Sequence, residues 1–174
     1  MNPNSSPKIT IDVITEARRW ETEIPELAEV CRLAANAAFD ACGAQIGWAE
    51  ASIMLADNAR LQLLNRAYRD IDEPTDVLSF PGLEIAGSFS PGTHIRPVLL
   101  GDIVVAYESA AAEAAAQGKE LRNHLSHLVV HGMLHLLGYD HLKEVEANEM
   151  EHLEVRILEK LGISDPYVVD GLVS

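Results

Sequence analysis

A cluster of histidines near residue 130 constrains this chain more than any other feature of its sequence. Four of its seven histidines lie within twelve residues, at positions 124, 127, 131 and 135. On an α-helix, His131 and His135 would lie one turn apart on the same face. A helix uses this spacing to present two imidazoles to one metal ion. The segment is therefore predicted to be a helix with a metal-binding face.

The third ligand has to come from outside that helix. His127 and His135 would be about 12 Å apart along the helix axis, too far to share an ion with bonds of about 2.0 to 2.1 Å. Gly138 can adopt a positive φ and end the helix, so that His141 turns back toward the pair. We predict that His131, His135 and His141 hold one zinc ion. We expect His124 and His127 to be partly buried, with His127 the nearer neighbour of the site.

Three protein ligands leave the fourth position of a tetrahedral zinc ion open, which is typical of a catalytic site. Zinc would lower the pKa of a bound water toward about 7 and supply a hydroxide nucleophile. A fourth protein ligand would instead close the site, and zinc would then only stabilise a non-enzymatic assembly or binding factor. Asp140 and His127 are the nearby candidates for such a ligand.

The spacing H-x-x-x-H-x-x-G-x-x-H is also that of the metzincin proteases, in which a glutamate follows the first histidine. Here Gly132 stands at that position. The zincin glutamate is the general base of peptide hydrolysis, and glycine has no side chain to accept a proton. A glutamate from elsewhere in the chain would restore that chemistry, so a zinc metalloprotease-like hydrolase is kept as an alternative.

The hydrophobic pattern predicts an α+β fold with a mixed sheet of about four strands and about five helices on one or both faces. The predicted strands are Lys8 to Ile14, Ile46 to Leu55, Asp76 to Phe80 and Val98 to Tyr107. The predicted helices are Glu26 to Cys42, a helix capped by Asp57 that ends near Arg69, Glu108 to Gln117, Lys119 to Leu137, and roughly Lys143 to Leu161. Residues 82 to 97 are predicted to form a long loop. The length of 174 residues suits one domain, 1–174, with residues 1–7 and about 163–174 as flexible ends.

Two arginines end the predicted helix after Asp57. Arg66 and Arg69 are three residues apart and therefore close in space. A guanidinium offers a planar fork of donors that suits a phosphate, so both are candidates for substrate binding. The alternative is a helix-end ion pair of Arg69 with Asp70 or Asp72.

The sequence says less about two acids that follow in the chain, Asp76 and Asp102. Asp76 is expected either to be structural or to touch the cleft. Asp102, within a strand that looks buried, is expected to be structural.

The segment from His131 to His141, HGMLHLLGYDH, resembles the signature of the YbeY family. Two further stretches are similar to that family in the same order, NRAYRDIDEPTDVLSFP from Asn65 to Pro81 and LGDI from Leu100 to Ile103. The resemblance implies a single-domain α+β protein whose zinc ion is held by three histidines in a cleft at a late helix. The family's zinc ligands fall on His131, His135 and His141, and its functional arginine falls on Arg69.

The same resemblance implies an activity. It is that of an endoribonuclease specific for single-stranded RNA, acting in ribosomal RNA processing, notably maturation of the small-subunit 3′ end, and in ribosome quality control. The implied partners are ribosomal RNA and the ribosome or its assembly proteins. The non-catalytic alternative then becomes a zinc-stabilised ribosome assembly factor.

Charge and apolar content limit the other partners. The formal net charge of −14 argues against general, charge-driven attraction to DNA, RNA or anionic membranes, so a polyanion has to be held at a local site. We expect no DNA partner, no membrane span and no secretory signal. Cys31 and Cys42 fall on one predicted helix, about 16 Å apart, too far for a disulfide. A reducing, cytoplasmic location is therefore expected.

Overall fold

A four-stranded mixed sheet forms the centre of the protein. The structure is a computed structural model, and it describes residues 8–42, 46–82, 97–139 and 144–167. The strands are β1 (Lys8–Thr15), β2 (Trp48–Ala56), β3 (Val77–Pro81) and β4 (Val98–Ala106), in the spatial order β1-β2-β4-β3. β1 and β2 pair in parallel, as do β2 and β4, whereas β3 runs antiparallel to β4. The predicted α+β class with a four-stranded mixed sheet is confirmed.

The described residues form six helices, one more than predicted. They are α1 (Arg19–Glu23), α2 (Leu27–Cys42), α3 (Asn58–Arg69), α4 (Tyr107–Ala116), α5 (Leu121–Leu136) and α6 (Glu144–Lys160). The helix missing from the prediction is α1, whose five residues are too few to show a helical period. Tyr107 was predicted to end a strand, but it begins α4 instead. The predicted loop from 82 to 97 lies almost entirely outside the described residues.

Alternate residues of β4 face two separate apolar layers, as the two-residue period of a strand requires. Ile103 and Val105 belong to the main core, together with the buried faces of α2 and α5. Val104 and Ala106 belong to a smaller cluster under α3. Asp102 shares the face of Val104 and is exposed, with its carboxylate accepting a hydrogen bond from Ser52 Oγ. β4 is mostly buried, as expected, but Asp102 itself is exposed, and its structural role stays a prediction.

Helix α5 lies unusually close to the sheet at Gly132. A Cβ atom added there would lie 2.9 Å from Cγ2 of Ile103 and 3.0 Å from its Cδ1. These distances are shorter than ordinary van der Waals contact, so the glycine allows α5 to pack this tightly. Ser79 of β3 also donates a hydrogen bond to the Gly132 carbonyl oxygen at 3.3 Å. The helix that carries the histidines is thus held against β3 and β4.

Candidate active site

The two histidines predicted to bind metal face each other across one turn of α5. Their Nε2 atoms are 3.1 Å apart, and their rings are inclined at 80°. Two imidazole nitrogens bound to one tetrahedral zinc ion at about 2.0 to 2.1 Å lie about 3.3 Å apart. His131 and His135 therefore fit a shared metal ion, as the spacing in the sequence predicts.

The other ring nitrogen of each histidine, Nδ1, has a hydrogen-bond partner. His131 Nδ1 lies 2.5 Å from Oε1 of Glu154, and His135 Nδ1 lies 3.0 Å from the carbonyl oxygen of Tyr139. Each acceptor places a proton on Nδ1, which leaves the Nε2 lone pair of the neutral ring available. Histidines that bind metal are usually oriented in this way.

The chain turns where the sequence predicts. Gly138 has a φ of 102°, and its N–H donates to the His135 carbonyl oxygen at 3.1 Å, which ends the helical run. His141, the third predicted ligand, lies outside the described residues, as does Asp140. Within the part of the chain that the structure describes, no three His, Cys, Asp or Glu side chains are arranged to hold a metal ion. The third ligand thus stays a prediction.

An open cavity of about 500 Å³ extends over the two histidines. Besides His131 and His135 its lining includes Arg69, Asp76, Ser79 and Tyr139. Arg69 ends α3, and its Nη1 donates to Oδ1 of Asn65 at 3.3 Å. Asn65 is buried and donates from Nδ2 to the Glu73 carbonyl oxygen at 2.9 Å, so it ties the end of α3 to the following loop. The fold therefore brings Arg69 and the two histidines to one cavity.

The structure separates Arg66 from Arg69, and the role of Arg66 in substrate binding stays a prediction. Arg66 is exposed on α3 and does not line the cavity over the histidines. Among the described residues, Arg69 forms no ion pair with Asp70 or Asp72. Asp70 instead adopts the left-handed conformation, with φ 58°, that ends α3.

Glu154 is a part of the site that the sequence reasoning missed. It lies on α6 with none of its surface exposed, and its carboxylate faces His127, His131 and Tyr167. Burial raises the pKa of Glu154, but the hydrogen bonds from these three donors outweigh burial and lower the pKa to about 2. A signal was present in the sequence, because Glu154 lies on the same helical stripe as the buried Met150, Ile157 and Leu158.

A second polar network lies beside the cavity. His124 Nε2 is 2.8 Å from Oε2 of Glu113, whose carboxyl group also forms a hydrogen bond with Asp76. Burial, followed by the charge of Asp76 and the hydrogen bond to it, raises the pKa of Glu113 to about 7. Burial lowers the pKa of His124 to about 4, so its ring is neutral at physiological pH. His124 is therefore a buried histidine outside the metal pair, and Asp76 both touches the cavity and takes part in this network.

The position of Gly132 bears on the protease alternative. Its missing side chain would point at Ile103 of β4, where the helix leaves no room for a glutamate. Glu154 contacts Nδ1 of His131, whereas the other ring nitrogen of His131, Nε2, faces His135. Both carboxylate oxygens of Glu154 already accept hydrogen bonds. Of the described residues that line the cavity over His131 and His135, none is a glutamate.

None of the described helices has the length and apolar character needed to cross a membrane.

Comparisons with known proteins agree on one family. The family model for endoribonuclease YbeY matches residues 13–162. An endoribonuclease YbeY of Paramagnetospirillum magneticum is 48% identical over 160 residues, covering 92% of this chain and 95% of that relative. An endoribonuclease YbeY of Bradyrhizobium sp. strain BTAi1 is 46% identical over 162 residues, covering 93% of this chain and 94% of the relative.

A solved structure supports the fold independently. The solution structure of a Thermotoga maritima protein superimposes with a TM-score of 0.58, covering 91% of this chain and 99% of that one. Its sequence is 22% identical, so the likeness concerns the fold alone.

Proposed function

This chain belongs to the YbeY family of endoribonucleases, and on that premise we propose that it uses a zinc ion to cut single-stranded RNA. Family membership makes the protein a hydrolytic endoribonuclease. The proposal adds the metal, the strand specificity and the setting, which is maturation of the small-subunit ribosomal RNA 3′ end and ribosome quality control. One observation carries it: a single cavity contains Arg69 and two histidine Nε2 atoms 3.1 Å apart.

His131, His135 and His141 would hold the ion. When bound, zinc supplies a hydroxide nucleophile near neutral pH. His131 and His135 are fixed before binding, because Glu154 and the Tyr139 carbonyl oxygen hold their Nδ1 atoms. Arg69 would bind the scissile phosphate through its planar fork of donors, and its positive charge would stabilise the negative charge that develops in the transition state. Its exposed position at the end of α3 leaves it accessible to an RNA strand.

The two alternatives predict different chemistry. A metalloprotease needs a base beside the first histidine, and Gly132 packed on Ile103 speaks against it. A non-catalytic assembly factor needs a fourth protein ligand to close the site. His127, one candidate for that ligand, has its Nε2 atom 3.2 Å from Glu154 and so points toward the carboxylate.

The acidic charge bears on how RNA reaches the site. A net charge of −14 slows the association of RNA with the chain, so we propose that the ribosome or its assembly proteins present the RNA to the cavity. Because ribosomal RNA is processed there, we place the enzyme in the cytoplasm.

The test compares zinc content and cleavage in four variants of the full chain. We expect about one zinc ion per chain in the wild type, and loss of zinc and of RNA cleavage together in His131→Ala, His135→Ala and His141→Ala. His152→Ala, an exposed histidine on α6, serves as the matched control and should keep both.

Each substrate assay uses single-stranded RNA, a duplex of the same sequence, and casein. Cleavage of the single strand alone is the expected result. Normal zinc content in His141→Ala would remove that residue from the ligand set. Proteolysis without nuclease activity would favour the protease, and stoichiometric zinc without cleavage of RNA or casein would favour the assembly factor.

A further inference from the structure

The C-terminal helix supplies a buried carboxylate to the outer side of the histidine pair. Glu154 has no exposed surface, although an isolated carboxylate is strongly disfavoured in a protein interior. Its position among Met150, Ile157 and Leu158 would suit an apolar side chain for packing alone. Instead, its carboxylate accepts hydrogen bonds from His131, His127 and Tyr167, which an apolar side chain could not do.

We propose that Glu154 is a positioning residue for the metal centre, which fixes the tautomer and the ring orientation of His131. The proposal rests on the zinc site of the proposed function. Glu154 would not touch the ion or the RNA, and would act through the His131 ring.

The distances around His131 carry the argument. Nδ1 lies 2.5 Å from Glu154 Oε1, and on the other side of the ring Nε2 lies 3.1 Å from His135 Nε2. A carboxylate can only accept, so it keeps the proton on Nδ1 and leaves the Nε2 lone pair facing the metal position. A charged acceptor also makes the ligand nitrogen more basic. The acceptor that faces Nδ1 of His135 is neutral, the carbonyl oxygen of Tyr139.

The second oxygen of the carboxylate is held in place as well. Oε2 accepts hydrogen bonds from the Tyr167 hydroxyl and from His127 Nε2, the latter at 3.2 Å. The Tyr167 ring packs edge-on against the His127 ring, with centroids 5.6 Å apart. These contacts prevent the Glu154 carboxylate from rotating away from His131. The turn that carries Tyr167 therefore belongs to the same positioning device.

The experiment measures zinc affinity by competition with a chromophoric chelator. The variants are Glu154→Gln, Glu154→Asp and Tyr167→Phe, and Glu159→Gln is the matched control, an exposed glutamate on the same helix. We expect zinc to bind about 10- to 100-fold more weakly to Glu154→Gln, because loss of such outer partners typically has this effect. Glu154→Asp and Tyr167→Phe should show smaller losses, and Glu159→Gln none.

A second readout does not depend on zinc or on RNA cleavage. Ring-nitrogen NMR of the metal-free protein, recorded where the imidazole is neutral, reports which nitrogen of His131 carries the proton. Wild type and control should show Nδ1–H. Glu154→Gln should show a mixture, because its amide group can also donate to an unprotonated Nδ1. A role in packing alone would lower the melting temperature and leave the tautomer unchanged.

The outcomes separate this proposal from the proposed function. Wild-type zinc affinity together with unchanged Nδ1–H in Glu154→Gln would overturn the positioning role, even if the enzyme binds zinc and cuts RNA. If Glu154→Gln does not fold, unchanged zinc affinity in both Glu154→Asp and Tyr167→Phe would overturn it. If the wild type binds no zinc, the proposed function fails, while the tautomer measurement still decides whether Glu154 orients His131.

Discussion

Two exposed arginines in the last turn of α3 allow a sharp test of the cavity. Arg66 and Arg69 are three residues apart, but Arg69 lines the cavity of His131 and His135 and Arg66 does not. If Arg69 binds the scissile phosphate, Arg69→Ala should lower the single-turnover cleavage rate by about 10²-fold, which is on the order of 3 kcal/mol. Arg66→Ala removes the same charge from the same helix end and should lower the rate no more than about 3-fold, as expected for a screened surface charge.

The structure also limits the effect of Arg69→Ala on stability. Within the described residues, the side chain of Arg69 donates a hydrogen bond to Asn65 Oδ1 at 3.3 Å, which is long. Asn65 keeps the bond from its Nδ2 atom to Glu73, whereas its Oδ1 atom loses the Arg69 donor, so the cost is that of one long hydrogen bond. We expect the free energy of unfolding to fall by no more than about 1 kcal/mol. For a chain of this size that corresponds to about 2 to 4 °C in melting temperature.

The assay follows cleavage of a fluorescent single-stranded RNA, with zinc content and melting temperature measured on the same preparations. Arg69→Lys should recover part of the activity, since an ammonium keeps the charge but lacks the planar fork. A stable, zinc-loaded and fully active Arg69→Ala would refute the phosphate-binding role. Equal losses in Arg66→Ala and Arg69→Ala would show instead that the helix end acts through its overall charge.

Three further predictions concern the packing of Gly132, the ionisation of Glu113 and the proposed zinc site. In Gly132→Ala, crowding against Ile103 should lower the free energy of unfolding by about 1 to 3 kcal/mol. The higher helix propensity of alanine should offset about 1 kcal/mol of that loss. Urea unfolding should show that Gly132→Ala no longer destabilises a protein that already carries Ile103→Ala. The stability that protonated Glu113 contributes is complete below pH 4.5 and is lost as pH rises through about 7, because its pKa is raised in the folded state. The melting temperature of the wild type should therefore fall relative to Glu113→Gln between pH 5 and 8, and a constant difference would contradict the raised pKa. Removing zinc with a chelator should lower the melting temperature of the wild type but not of His131→Ala, since only bound metal stabilises the folded state.

Local signals explain which parts of the fold were predictable from the sequence. The Asp57 side chain accepts a hydrogen bond from the Arg60 N–H at 2.9 Å, and α3 begins at the next residue, as a cap at that position predicts. Helix α1 carried no such signal. It is held by long-range contacts, since its buried Trp20 donates from Nε1 to the Ala56 carbonyl oxygen and packs on Tyr107. Tyr107 begins a helix, although an aromatic residue after an apolar run favours a strand.

The candidate site, like the fold, could be predicted from the sequence only in part. The facing of His131 and His135 follows from helical spacing alone, and so was predictable. The approach of Arg69 depends on how α3, β3 and α5 pack, which no short spacing encodes. The helix-end spacing indicates Arg66 and Arg69 alike, and only the family resemblance favours Arg69. Glu154 was hidden for a different reason. A glutamate on an acidic C-terminal helix looks like any solvated residue until its place on the buried stripe is compared with Met150 and Ile157.

The charge distribution helps to explain how so acidic a chain can serve as a nuclease. At physiological salt, charges more than about 8 Å away are largely screened, so most of the −14 acts weakly on a phosphate already in the cavity. Among the described residues that line the cavity, Asp76 is the acid that would oppose the phosphate, and the pKa of the neighbouring Glu113 is raised to about 7. Below that pH the two carboxyl groups together carry less negative charge than two ionised carboxylates would, while Arg69 contributes a full positive charge. The cavity therefore repels a phosphate less than the acidic surface around it does. The acidic surface therefore acts mainly on the approach of RNA, and the cavity acts on the bond that is cut.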